Sequence, residues 1–247
     1  MPDYRAQVIA TLHQIAEGEP EVVLDEVEVL VRQDSSSQGF SADTTAKMTL
    51  LAEVGQIAAR CELCDLCRSR SKVVFGVGNP SARLMVIGEA PGADEDRIGE
   101  PFVGRAGQLL TKIIVAMKMT REEVYIANIL KCRPPGNRNP SPFESVSCKP
   151  YLLKQIEIIS PEIIVALGLV AAVNLLELPP TTAVKDLRGR VLEYAGKPLI
   201  VTYHPAALLR NPALKPATWE DMKRVMRLLD GTEKWVGQES GKWRVES

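Results

Sequence analysis

Few residues in this chain are equipped for chemistry, and most of them fall in two stretches. The first is cysteine-bearing. Cys61 and Cys64 form a CxxC within CELCDLC, and Cys132 and Cys148 bracket KCRPPGNRNPSPFESVSC, residues 131–148. Four thiolates can hold a structural zinc or an iron–sulfur cluster, and the spacing alone does not choose between them. A metal would brace a proline-broken loop that cannot hydrogen-bond itself into place. The competing reading leaves Cys132 and Cys148 as buried apolar fillers. Cys67, the fifth thiol, is left over.

The second stretch is GEAPGADEDRIGEPFVGRAGQLL, residues 88–110. Its glycines allow sharp turns and close approach of the backbone to a ligand. It lacks both the GxGxxG order and the lysine of a phosphate-binding loop. Glu89, Asp94, Glu95, Asp96 and Glu100 would also repel phosphates, so a nucleotide cofactor is disfavoured. Elsewhere, Asn128 lies late in an apolar run, and His204, one of two histidines, closes another just before Pro205.

These residues need a scaffold. Four apolar, β-rich runs recur at 84–90, 124–130, 162–168 and 198–204. Such runs suit strands buried on both faces. Helical patterns separate them: Met48, Leu51, Val54 and Ile57 predict a helix over Ala46 to Ala59, and another spans Gly107 to Met119. Ser141, Pro142 and Glu144 supply an N-cap, a first-turn proline and a capping-box partner for a helix running to Ile158. A further helix follows Gly168, and a last one covers Thr218 to Leu229. Strand–helix alternation predicts a parallel sheet flanked by helices, with ligands bound at the carboxyl ends of the strands. GEAPG, Asn128 and His204 all fall at such ends.

Residues 4–16 could form a helix, 21–31 alternate weakly, and QDSSSQGFSADTT, residues 33–45, reads as a linker. Residues 1–43 are therefore expected to be an acidic extension and 44–247 the functional domain. The charge is asymmetric: residues 1–59 hold three basic and ten acidic side chains, and the rest of the chain 27 and 21. A mildly basic body permits nucleic-acid binding, although a solvated surface without special meaning accounts for the same numbers. With 247 residues, 45% hydrophobic and 25% charged, the composition is that of a globular protein. No run reaches the length of a bilayer span, and the N-terminus lacks the pattern of a signal peptide. The expected compartment is the cytoplasm.

GEAPG…ED…G.PFVGRAG.LL, then NILKCRPPGNR with its cysteines, then HPAALLR, together resemble the family 4 uracil-DNA glycosylases, iron–sulfur members of the uracil-DNA glycosylase superfamily. The resemblance covers about residues 50 to 230. It implies a three-layer α/β/α sandwich with a central four-stranded parallel sheet, and removal of uracil from DNA as the first step of base-excision repair. It also implies a [4Fe–4S] cluster, structural because hydrolysis needs no electrons, on Cys61, Cys64, Cys132 and Cys148.

The family's roles carry over residue by residue. Flipping a uridine into a pocket would ask Glu89 to orient or deprotonate water and offset charge on an oxocarbenium-like sugar. Phe102 would stack on the base, with Ala90 also at the uracil site. Asn128 would read N3–H and O4, which cytosine cannot reciprocate. His204 would donate to O2 and stabilise the departing anion, and Glu95 would crowd the C5 edge against thymine. Leu208, with Leu209 as the alternative, would wedge into the vacated stack. Arg210, Arg133, Lys131 and Arg138 would meet phosphates. The segment 132–148 has no histidine, so turnover is expected rather than the covalent trapping of a relative with a loop histidine. A monomer is expected, with 1–43 available to a replication or repair partner. Two rivals remain: an iron–sulfur electron carrier, which would leave Glu89, Asn128 and His204 idle, and a zinc-bearing, non-catalytic DNA-binding module.

Overall fold

The computed structural model describes residues 42–179 and 181–235. The expectations for residues 4–16, 21–31 and the first part of the linker lie outside the described residues. The elements in chain order are α1 (Ala42–Ala59), β1 (Val77–Gly78), β2 (Leu84–Gly88), α2 (Ala93–Ile98), α3 (Arg105–Ala116), β3 (Tyr125–Asn128), α4 (Pro142–Ile159), β4 (Ile163–Leu167), α5 (Leu169–Leu176), α6 (Val184–Leu187), β5 (Leu192–Tyr194), β6 (Lys197–Thr202), α7 (Pro205–Arg210) and α8 (Lys215–Leu229).

The strands form one sheet in the order β1-β3-β2-β4-β6-β5. The four expected strands, β2, β3, β4 and β6, pair in parallel. The expectation of a four-stranded sheet is corrected to six strands, because β1 and β5 add short antiparallel edges. The chain runs from β2 outward to β3, then crosses back to β4 and β6. Order therefore reverses at the centre, where open α/β sheets bind their ligands.

Alternation along each strand divides the apolar residues between two cores. Met85 and Ile87 of β2 pack on one face with Leu51 and Val54 of α1 and Tyr151 and Leu152 of α4. Leu84 and Val86 pack on the other face with Leu110 and Ile114 of α3 and Met222 and Val225 of α8. Helices thus cover both faces, which makes the three layers and explains why the strands read as unbroken apolar runs.

Helix starts follow local chemistry. Ser141 accepts from the Glu144 N–H at 3.2 Å, and the Glu144 carboxylate accepts from the Ser141 N–H at 2.7 Å, with Pro142 in the first turn. α1 begins at Ala42, so Ala42 to Thr45 are helical rather than linker. An i,i+4 ion pair between Asp43 and Lys47 at 3.3 Å and a hydrogen bond between Thr44 and Ser81 at 3.1 Å explain the longer helix. No described helix is long and apolar enough to cross a membrane.

Candidate active site and cysteine cavity

The tips of β2 and β3 meet at Gly88, and His204, just after β6, joins them through the Phe102 ring. A β-carbon on Gly88 would lie 2.4 Å from Asn128 Oδ1 and 2.5 Å from Phe102 Cζ, so only glycine admits both side chains there. The ladder pairs Gly88 with Asn128, bringing that side chain to the end of β2. The Phe102 ring lies 5.6 Å from the His204 ring, centroid to centroid, tilted by 34°. Three of the expected base-handling residues, Phe102, Asn128 and His204, are therefore brought together.

Phe102 sits in the left-handed region at φ 55°, a strained place for a bulky residue. Its surroundings over-determine that conformation. Glu95 accepts from the N–H groups of Val103 and Gly104, both at 2.9 Å, and from Gly92 at 3.1 Å. Arg121 donates to the Pro101 carbonyl. Gly107 lets α3 approach, since a β-carbon there would fall 1.8 Å from the Phe102 carbonyl oxygen. Glu95 therefore acts on the loop that carries Phe102. Both its oxygens are engaged by backbone, so the carboxylate is held in one fixed position beside the Phe102 loop.

Asn128 is almost wholly buried, and its Oδ1 has no hydrogen-bond partner. An unsatisfied buried acceptor costs about 1–3 kcal/mol, and a ligand donor would remove that cost. His204 N-caps α7, its Nδ1 accepting from the Ala206 N–H at 3.1 Å. Burial first, then the charge of Arg210, holds its pKa down at about 4, with Glu95 opposing. The ring is thus neutral near pH 7, and an accepting Nδ1 places the proton on Nε2. Glu89 follows Gly88 directly and is half-buried, and burial raises its carboxyl above the usual range. Its carbonyl accepts from the Leu130 N–H at 3.0 Å, tying it to the segment after Asn128.

Other expected residues fall differently. Ala90 packs against the core on the α1/α4 face. Leu208 is only 1% exposed, whereas Leu209 is 40% exposed. The Leu208 reading is corrected, because a core side chain cannot enter a base stack without unpacking α7. Lys131, expected to meet phosphates, is 1% exposed and unable to do so. Arg210 is exposed at the end of α7. Arg133 bonds Asn137 at 2.7 Å, and Arg138 forks onto Glu144 at 2.6 and 2.9 Å.

On the opposite side of β3, Cys61, Cys64, Cys132 and Cys148 line one cavity with Leu130 and Tyr151; Cys67 does not line it. No group of three or more His, Cys, Asp or Glu among the described residues is arranged to hold a metal ion. The four thiols share one cavity wall. Arg70 Nη1 donates to Cys132 Sγ at 3.4 Å and to the Cys61 carbonyl at 2.7 Å, and the Lys131 N–H donates to Cys148 Sγ at 3.1 Å. Burial pushes the Cys64 and Cys132 thiols up and Cys148 to about 12. Four thiolates there need a compensating cationic guest. The buried Tyr151 hydroxyl beside this wall has no hydrogen-bond partner. Arg70, Arg121 and Gln155 were not anticipated, since their partners are distant in sequence and no motif marks them.

A sequence model of the Uracil DNA glycosylase superfamily matches residues 75–223, which contain the whole strand-tip cluster. Relatives named type-4 uracil-DNA glycosylase extend the match. The Archaeoglobus fulgidus protein is 44% identical over 73% of this chain and 94% of its own length. The Thermotoga maritima protein is 43% identical over 71% and 92%, and that of Pyrobaculum aerophilum 43% over 70% and 91%. The chain belongs to the type-4 uracil-DNA glycosylase family. The superfamily match contains the strand-tip cluster and two of the four cavity cysteines, Cys132 and Cys148, with β3, the loop after it and α4; Cys61 and Cys64 precede it.

Proposed function

We propose that this chain hydrolyses the N-glycosidic bond of deoxyuridine in DNA and so starts base-excision repair. The observation that carries the reading is the convergence of Phe102, Asn128 and His204 at Gly88, with the Asn128 acceptor left unpaired.

A uracil against the Phe102 ring would give its N3–H to Asn128 Oδ1 and receive the amide N–H at O4. Cytosine offers an acceptor at N3 and a donor at position 4, so both contacts would oppose it. The neutral His204 would donate from Nε2 to O2, where negative charge develops as the base leaves. Glu89 would orient water and offset positive charge on the sugar. Its raised pKa suits a base that must hold a proton transiently. Glu95 serves through the Phe102 loop. Ala90, beside Glu89, would border the site through its backbone. Leu209, exposed where Leu208 is not, would fill the vacated stack. Arg210 and Arg133 would contribute salt-dependent contacts to phosphates.

Cys61, Cys64, Cys132 and Cys148 would hold a [4Fe–4S] cluster. Four thiols lining one cavity are the ligand set such a cluster takes. When bound, the cluster would supply a structural cross-link between the segment after α1, the loop after β3 and α4. We further read residues 44–247 as the catalytic domain, acting as a monomer, and 1–43 as an acidic appendage for a repair or replication partner. The cytoplasm is the compartment that suits free thiols and a DNA substrate.

Incubation with a uracil-bearing oligonucleotide, followed by alkali to cleave abasic sites, tests the activity. Cleavage at uracil and none at cytosine or thymine is expected. An intact uracil strand would overturn the reading.

A further inference from the structure

Among buried polar groups outside the reaction proper, the Lys131 side chain has the most unusual surroundings. Its amine donates to the Asn128 carbonyl at 2.9 Å and to Gln155 Oε1 at 2.6 Å, and lies 5.7 Å from the centre of the Phe75 ring. Gln155, wholly buried on α4, gives its amide nitrogen to the Phe75 carbonyl at 2.9 Å and to the Tyr125 hydroxyl at 3.1 Å. A carbonyl can only accept, so the amide nitrogen must face Phe75, leaving Oε1 for the amine. The amide orientation and the lysine therefore specify each other.

The backbone of Lys131 is pinned as well. Its N–H donates to Cys148 Sγ at 3.1 Å, and its carbonyl accepts from Val74 at 2.8 Å. Just before it, the N–H groups of Ile129 and Leu130 donate to the Gly88 and Glu89 carbonyls at 2.9 and 3.0 Å. The four residues from Asn128 to Lys131 thus brace the tip of β2, the cysteine cavity and α4 at once. Since no hydrogen bond fixes the acceptor end of the Asn128 side chain, its aim depends on where the backbone puts it. Burying an amine is costly, and a methionine would fill the space more cheaply.

We propose that Lys131 is a positioning residue, holding the Asn128 backbone so that the amide above it meets the base. This rests on the uracil reading given above. It does not depend on the amine's charge, because the neutral and charged forms both donate two hydrogen bonds.

Lys131→Met in the full chain, as purified with its visible absorption, is the test. The readouts are kcat and KM on a uracil oligonucleotide, affinity for free uracil by calorimetry, and the visible spectrum. A misaimed group costs on the order of tenfold to a hundredfold. We expect a loss of that size in kcat and weaker free-uracil binding, with the spectrum retained. Unchanged uracil affinity and kcat, or a loss that tracks a bleached spectrum, would overturn the proposal. Gln155→Met, which leaves the amine but removes its second acceptor, guards against a variant that does not fold. It should lower uracil affinity less than Lys131→Met, and the double variant should be no worse than Lys131→Met alone. Undiminished uracil affinity in Gln155→Met overturns the proposal on its own. If the unaltered chain excises no uracil, the functional reading fails, whereas free-uracil binding still reads the role of Lys131.

Discussion

The strand-tip cluster and the cysteine cavity sit on either side of the segment after β3, and they are held together by different means. In the cluster the protein supplies its own bonds. Glu95 receives three backbone N–H groups, Gly88 and Gly107 allow close approach, and His204 caps its own helix. In the cavity, thiols from three segments line one wall, burial raises those of Cys64, Cys132 and Cys148, and few protein hydrogen bonds reach them. A site built from backbone bonds is preformed and tolerates loss of one functional group. A site built around a guest depends on that guest for its coherence. Substitutions in the two regions should therefore fail in different ways.

The largest effect is expected in the cavity. Cys132→Ser or Cys148→Ser should lower soluble yield, abolish visible absorption and depress the melting temperature, with activity lost as a consequence of folding. A colourless, fully stable variant would remove the contrast. Next comes Glu89→Gln, expected to lower kcat by roughly 10²–10⁴-fold with the melting temperature kept or raised, since burial disfavours the carboxylate. The pH profile sharpens this. The ionised carboxylate is required, so activity should fall as pH drops through its raised pKa, above the ordinary 4.5. His204 stays neutral down to about 4 and should not set that limb. An acid limb unchanged in the residual activity of Glu89→Gln would assign it to another group.

The two regions also differed in how far they could be read from sequence. The parallel strands announced themselves because burial on both faces forces unbroken apolar runs, and α4 announced its start through Ser141, Pro142 and Glu144. The edge strands Val77–Gly78 and Leu192–Tyr194 did not, being too short and too exposed to carry a period. Phe102, Asn128 and His204 were legible as a set because strand ends bring them together and a family pattern names them. Lys131 was misread because a lysine among arginines and prolines looks solvated, while its burial comes from Gln155, 24 residues on. The loop-holding bonds of Glu95 were hidden for a similar reason: its partners Val103 and Gly104 are backbone groups, to which side-chain identity gives no clue.

Within the strand-tip cluster, Asn128→Asp separates reading from architecture. Aspartate keeps the shape but cannot donate to O4, and it places an acceptor pair where uracil offers one donor. One or two lost contacts at about 1–3 kcal/mol each predict a substantial fall in kcat/KM on uracil, measured well below a melting temperature that the buried carboxylate should lower. Full activity on uracil would dissociate Asn128 from the base.

The smallest effect on activity should come from α7, where adjacent leucines face opposite environments. Leu208 packs in the core, and Leu208→Ala should cost about 2–5 kcal/mol of stability, read by denaturant unfolding. Leu209 is exposed, and Leu209→Ala should leave unfolding unchanged while slowing excision from duplex DNA a few-fold. Single-stranded substrate should be less affected, because it has no opposing stack for a wedge to hold open. Equal slowing on both substrates would mean that Leu209 contacts DNA without acting as a wedge. A stability loss at Leu209 matching that at Leu208 would mean that the helical phase of α7 assigned here is wrong.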